Sequence, residues 1–196
     1  SQEQLKEYQW LFENEFNENH LLAIGINSKE DDNKTIKHFN SLSIYDHNLN
    51  IINSYKKINL VPFGEFLPFE KILKSIGLKT ITNEYQSYSK GAKRNIIDLK
   101  YSNLSVKILP LICYEIIYSG KIFSNSKFDY IVNISEDGWF GKSIGPEQHF
   151  THSIFRAIES GKYVLRSANN GTTAIINPQG VIEQNHGINN LGYIDL

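Results

Sequence analysis

Apolar and polar residues follow two periods along this chain. Near the start, Leu5, Tyr8, Phe12 and Phe16 recur at helical intervals, which predicts an amphipathic helix over Gln4–Phe16. Leu21–Ile26 is a continuous apolar run and reads as a buried strand, followed by the polar turn Asp31-Asp32-Asn33-Lys34. Phe39–Tyr45 alternates apolar with polar, and Leu49–Ser54 follows an Asp-His-Asn turn, so the two predict a β-hairpin. Residues 66–77 read as a short helix ended by Gly77, and residues 80–95 as a long polar surface loop. Ile96–Leu99 and Leu104–Ile112 read as strands joined through Tyr101-Ser102-Asn103, and Tyr130–Ile134 as another. Gln148–Ser160 has Phe150, Ile154, Ala157 and Ile158 at helical spacing and meets Gly161, a helix stop. Tyr163–Ser167, Thr172–Asn177 and Val181–Glu183 then read as strands separated by Asn170-Gly171 and Pro178-Gln179-Gly180 turns. Strands interleaved with helices make a layered α/β domain.

Composition adds bounds. A length of 196 residues suits one α/β domain, with 40% apolar and 21% charged residues. A net charge of −1 gives no global argument for nucleic acid or anionic lipid as a partner. A single cysteine excludes an intrachain disulfide. No apolar run approaches the roughly 20 residues of a membrane helix.

That cysteine, Cys113, ends the apolar run Val106–Ile112 and is followed by Tyr114-Glu115. Local sequence leaves two readings open: a small core residue, or a nucleophile exposed by the turn after a strand, with Glu115 ordering that turn. In Lys57-Ile58-Asn59-Leu60-Val61-Pro62-Phe63-Gly64-Glu65, Pro62 and Gly64 set an unusual backbone path. Lys57 and Glu65 fit either a solvated surface loop or a pocket in which a desolvated lysine holds an oxyanion. Trp139 and Phe140, in Asp137-Gly138-Trp139-Phe140-Gly141, fit a pocket wall or a loop folded onto the core. Gly141-Lys142-Ser143-Ile144-Gly145 matches G-x-S-x-G but lacks the preceding strand that a nucleophile elbow needs. His149 and His152 lie three apart without an acidic or cysteine partner at ligand spacing, and read as helix-surface or loop-packing residues. Arg156 and Glu159 read as an ion pair or cap, and Arg166 as the partner of an unnamed carboxylate inside the domain.

Taken in order, Lys57 with Leu60–Glu65, Ile112–Glu115, Asp137–Gly141, Gly145–His149, Arg156–Glu159 and Arg166–Ala174 resemble the nitrilase superfamily, in particular its apolipoprotein N-acyltransferase branch. The resemblance runs from about residue 45 to the C-terminus. Ile116-Ile117-Tyr118-Ser119 stands where soluble amidase-like members often carry an Arg-x-Pro-Glu type segment, which favours the acyltransferase branch over a soluble carbon–nitrogen hydrolase; a non-catalytic nitrilase-like domain is the third reading. The family implies a four-layer α-β-β-α sandwich and a Glu-Lys-Cys triad. Its nucleophile matches Cys113 and its lysine Lys57, with Glu65, Tyr114 and Glu115 in supporting positions and the Tyr114 N–H beside Lys57 as an oxyanion donor. Trp139 and Phe140 are expected at the substrate entrance. The general-base glutamate has no match, because the chain's one Pro-Glu pair, Pro146-Glu147, lies after the cysteine. Residues 1–196 are therefore expected to be a truncated nitrilase-like catalytic domain, inactive alone, with the base and a transmembrane domain upstream. Ser135-Glu136 also departs from the more usual Asn or Thr before the Asp. The resemblance further implies a phospholipid acyl donor, an apolipoprotein acceptor, no cofactor or metal, no nucleic acid, and a place on the periplasmic face of a bacterial inner membrane.

Overall fold

Nine strands account for most of the regular structure in the computed structural model, which describes residues 2–13, 15–31, 35–69, 87–120, 127–187 and 192–195. They fall in two compact units, Ser1–Arg94 and Asn95–Leu196.

The first unit is built on an antiparallel meander of β1 (Leu22–Asp31), β2 (Ile36–Tyr45) and β3 (Ile51–Lys56), with β2 in the centre. The predicted hairpin is β2–β3. Its turn is set by Asp46, whose carboxylate accepts from the Asn48 and Asn50 backbone N–H groups, while Leu49 takes a left-handed φ of 59°. The first strand is longer than its apolar run, reaching Asp31 and pairing along its whole length with β2, and it is an edge strand rather than the buried one expected: Leu22, Ile24 and Ile26 are half-buried while Ala23 and Gly25 are exposed. Central position explains why β2 buries Ser41 and Ser43 with Phe39, Leu42 and Ile44. The two hydroxyls meet Ser28 and Ser54 at 2.7 and 2.9 Å, so neither is buried unpaired.

One helix expectation fails in this unit, and a second can be compared only at its first residues. The helix expected over Gln4–Phe16 is broken into Gln2–Leu5, a 3-10 turn Lys6–Tyr8, and Gln9–Glu13. Tyr8 is exposed, so the apolar stripe is not packed along its length, and isolated helices this short are marginal. Of the helix expected over residues 66–77, residues 66–69 form a bridge and a turn, and residues 70–77 lie outside the described residues.

The second unit is a six-stranded sheet in sequence order: β4 (Ile97–Tyr101), β5 (Leu104–Ile112), β6 (Tyr130–Glu136), β7 (Tyr163–Asn169), β8 (Thr173–Ile176) and β9 (Ile182–His186). Its centre, β5–β6–β7, is parallel and its margins are antiparallel. Parallel strands covered on both faces read as continuous apolar runs, as Ile108–Ile112 does. Leu109, Leu111, Ile116, Ile131, Val164, Ala174 and Ile176 are almost wholly buried with Ala157 of the long helix, Gly145–Ser160. Gly161 ends that helix in the left-handed conformation. Phe150, Ile154 and Ala157 face the core as expected, but Ile158 is 52% exposed. Among the described residues, no helix is long and apolar enough to cross a membrane.

Candidate active site

The C-terminal ends of the three parallel strands lie side by side, Ile112 opposite Ile134 and Glu136 opposite Asn169. The residue after β5 is Cys113, which opens a 3-10 turn, Cys113–Ile117. Its φ is +50°, a left-handed conformation that costs a non-glycine residue about 1–2 kcal/mol. Contacts on either side hold it there. The buried Glu115 carboxylate accepts from the Ile112 N–H at 3.0 Å, and Ile116 is sunk in the core. Cys113 itself is half-buried rather than in the core, and Tyr114 is exposed beside Tyr118. A sharp strand-to-turn transition of this kind presents a side chain at a sheet edge.

The residue after β6 is Asp137, fully buried. Its Oδ1 accepts from the Ser135 hydroxyl at 2.7 Å and lies 2.8 Å from His149 Nδ1; its Oδ2 accepts from Arg166 Nη2 at 2.6 Å. Arg166, on β7, also donates to Asn133 Oδ1 and to the Thr172 carbonyl, and Asn133 donates to the Leu111 carbonyl. His149 reaches the turn at Cys113, with Nε2 3.2 Å from the Cys113 carbonyl oxygen. Burial pushes the Asp137 carboxyl up, but the His149 contact, the Arg166 charge and the Ser135 hydroxyl outweigh it and hold Asp137 below the usual carboxylate range. Burial also pushes the Arg166 guanidinium down from its ordinary value, against Asp137, which favours the charged form.

In the first unit, Lys57 follows β3, and its N–H donates to the Asn40 carbonyl at 2.8 Å. Its side chain is 1% exposed, so the surface-loop reading fails. Lys57 Nζ lies 2.9 and 2.8 Å from the two oxygens of Glu65, which also accept from Asn40 Nδ2 at 2.7 Å and the Val61 N–H at 2.9 Å. The unusual backbone path is real, although the positive φ falls on Phe63 rather than on a glycine. Of the surface loop expected over residues 80–95, residues 80–86 lie outside the described residues; from Ser87 on it is a loop, as expected, and it is tied down by backbone hydrogen bonds. Tyr88, Ser89 and Gly91 donate to the carbonyls of Glu65, His38 and Lys57. A Cβ on Gly91 would lie 2.2 Å from the Lys56 carbonyl oxygen, so only glycine permits this approach.

The remaining expectations divide. Arg156 pairs with Glu159 at 2.9 Å, and the unnamed partner of Arg166 is Asp137. His149 is not a surface residue: it is 3% exposed, and both ring nitrogens are engaged by Asp137 and Cys113. Trp139 is half-exposed, whereas the Phe140 ring packs on His149 with centroids 5.4 Å apart. Ser143 is exposed, donates to the Phe140 carbonyl and precedes the helix, so G-x-S-x-G forms no elbow here. Glu136, the unusual residue before Asp137, accepts from the Gly138 N–H and from the Asn169 and Asn170 amides, which gives its carboxylate a local task. The sequence pointed to neither Asn40 nor Asn133 as a site residue.

Comparison with known proteins gives the family and the fold. The Carbon-nitrogen hydrolase family matches residues 2–194. The chain is 38% identical over 158 residues to the apolipoprotein N-acyltransferase of Rhodopseudomonas palustris, covering 80% of this chain and 29% of that protein. It is 39% identical over 175 residues to the one from Rickettsia typhi, covering 89% of this chain and 34% of that protein. It thus spans about a third of the length of these curated relatives. Among solved structures, Saccharomyces cerevisiae Nit3, a member of branch 10 of the nitrilase superfamily, superposes with a TM-score of 0.59 at 20% identity, over 96% of this chain and 68% of Nit3. An amidase from Nesterenkonia sp. AN1, with an acetamide moiety added covalently at its active-site cysteine, gives a TM-score of 0.62 at 13% identity, over 96% of this chain and 65% of the amidase. The chain has the α/β nitrilase fold and belongs to the carbon–nitrogen hydrolase family of the nitrilase superfamily.

Proposed function

We propose that residues 1–196 are the catalytic domain of an apolipoprotein N-acyltransferase in which Cys113 carries the acyl group. The observation that carries this reading is the conformation of Cys113: a half-buried thiol at positive φ, at the carboxyl end of a buried parallel strand, braced on both sides. The relatives that bear this name over most of the chain give the reading its substrate class.

In the first half-reaction the Cys113 thiolate attacks the ester carbonyl of a phospholipid. The tetrahedral oxyanion collapses, the glyceryl oxygen leaves with a proton, and a thioester and a lysophospholipid result. In the second, the α-amine of a diacylglyceryl-cysteine attacks the thioester. The C–S bond breaks, the thiolate is regenerated, and the amine proton passes to the base. Lys57 and the Tyr114 N–H are assigned to the oxyanion, with Glu65 holding Lys57 in place and Glu115 ordering the turn. The base is assigned to a glutamate outside these 196 residues. Trp139 is assigned to the lipid entrance, and Phe140 supports it through its packing. In this reading the whole protein sits in a bacterial inner membrane through segments other than this domain, with the domain on the periplasmic face.

The test is single-turnover labelling of the whole protein with a phospholipid carrying a tagged acyl chain, followed by addition of a diacylglyceryl lipopeptide. The expected result is a Cys113 peptide heavier by one acyl group that loses it on adding lipopeptide, and no transfer by Cys113→Ala. Transfer by Cys113→Ala at the parental rate would refute the assignment. Acylation by small amides but not by phospholipid would replace it with a carbon–nitrogen hydrolase.

A further inference from the structure

Two of the three polar contacts of His149 call for a proton on each ring nitrogen. Nδ1 lies 2.8 Å from Asp137 Oδ1, and Nε2 lies 3.2 Å from the Cys113 carbonyl oxygen. A carbonyl oxygen only accepts. Asp137 is an acceptor too, because Arg166 Nη2 donates to Oδ2 and the Ser135 hydroxyl to Oδ1, contacts that stabilise the ionised carboxylate. A neutral imidazole has one N–H and one lone pair, so either tautomer would aim a lone pair at an oxygen lone pair. The ring cannot turn away from this choice, being 3% exposed and packed against Phe140. Both contacts are hydrogen bonds only if both ring nitrogens carry protons. A buried cation needs a counter-charge, and Asp137 is in contact. Asp137 serves Arg166 as well, with Arg166 Nη2 3.4 Å from His149 Nδ1, so the cluster of one carboxylate and two cations carries a surplus positive charge.

We infer that His149 is held as an imidazolium by Asp137 and is a positioning residue for the nucleophile, gripping the Cys113 carbonyl and setting a positive charge against the turn that bears the thiol. The grip fixes the left-handed backbone of Cys113, and the charge favours thiolate over thiol. Opposing it on Cys113's own turn is the buried Glu115 carboxylate, bonded to the Ile112 N–H; from the other elements, Asp137 and Arg166 face the cluster, His152 lies on the same helix as His149, and Tyr114 and Tyr118 flank the turn. This inference rests on the reading of Cys113 as the nucleophile, and its readout requires no lipid.

The experiment measures alkylation of Cys113 by iodoacetamide across pH in the whole protein, followed on the Cys113 peptide by mass; the sulfur displaces iodide and forms a thioether. The parent is compared with His149→Phe, which keeps a ring against Phe140 without donors, with His149→Gln, which keeps one neutral donor, and with Asp137→Asn. In the two His149 variants the half-maximal rate is expected to move up by roughly 0.5–1 pH unit, as loss of a neighbouring cation requires; Asp137→Asn removes one negative and at most one positive charge, so no upward move is expected from it. His149→Gln is expected to recover more of the limiting rate than His149→Phe, because it still grips the carbonyl. Coincident profiles for parent and His149→Gln would overturn the inference. Independently of any variant, a ¹⁵N-histidine spectrum of the parent at about pH 8, where an ordinary histidine is neutral, should show one histidine with both ring nitrogens protonated; its absence would also overturn it. An unchanged alkylation result in a protein that transfers no acyl group would leave the inference standing and sink the acyltransferase reading.

Discussion

Replacing Glu65 by glutamine removes one charge and one acceptor from a deeply enclosed ion pair of the first unit. The carboxylate takes Lys57 Nζ on both oxygens, Asn40 Nδ2 on Oε1 and the Val61 N–H on Oε2. An amide has only one carbonyl oxygen. Whichever way it is turned, its NH2 faces a donor, so at least one buried donor loses its partner, at about 1–3 kcal/mol. Lys57 meanwhile loses its carboxylate partner in a place where it is 1% exposed. Removing one member of a buried pair costs about 3–5 kcal/mol, and that figure already contains the lost hydrogen bond. Glu65→Gln is therefore expected to lower the unfolding free energy by about 3–5 kcal/mol, read as a lower urea midpoint at constant slope. The double variant Lys57→Met with Glu65→Leu removes both charges and should recover most of the loss, since an apolar replacement of a whole buried pair is often neutral. Loss of under about 1 kcal/mol in Glu65→Gln, or a double variant no better than the single, would refute the claim that enclosure makes Glu65 indispensable to Lys57.

Three further outcomes follow from the second unit. Asp137→Asn leaves the Arg166 and His149 side chains without their carboxylate and should cost about 3 kcal/mol at neutral pH. Because the folded Asp137 carboxyl lies below its ordinary value of 3.8, its stabilisation is complete above that pH and is lost as pH falls through the folded value. Urea midpoints of parent and variant should then converge in acid, and a gap that stays constant to low pH would contradict the assignment. Gly171→Ala would place a Cβ 2.2 Å from Asp137 Oδ2, so a loss of about 1–3 kcal/mol is expected by calorimetry. Ser143→Ala removes an exposed hydroxyl that caps a bend, and, in the acyltransferase reading proposed above, should leave transfer within about twofold of the parent, as surface positions do; a collapse of turnover would reinstate the serine motif.

The strands were legible because apolar content carries their period, and β5 was the plainest because a strand covered on both faces reads as one run. The end of that run located Cys113, but local sequence left the core and nucleophile readings open, and only the fold shows it half-buried at positive φ. What hydropathy concealed was the buried polar stripe of the long helix. His149, Ser153 and Arg156 recur at four- and three-residue spacing and are buried together with Ala157. Phe150 and Ile154 drew the reading to the neighbouring face, and a stripe of His, Ser and Arg reads as solvent-facing unless its partners are known. Those partners, Asp137 and Cys113, lie 12 and 36 positions away in sequence, beyond any local pattern. Asn40 was hidden for a related reason: it sits next to the Ser41–Lys56 pair in the β2–β3 register, and only the register brings it to Glu65. The N-terminal helix failed in the opposite direction, because its periodicity was sound while its packing surface was not.

The parallel order of β5, β6 and β7 also dictates a timetable. A ribosome delivers Cys113 first, His149 36 residues later and Arg166 after 53. At about 5–20 residues per second, the nascent thiol waits roughly 3–10 s before the last member of its bracing cluster has been synthesised. During that interval the cysteine has no grip on its carbonyl, because the residue that supplies it is unmade or unanchored. Newly made chains should therefore display an ordinary thiol, and its change in reactivity during synthesis would report the moment at which β7 docks.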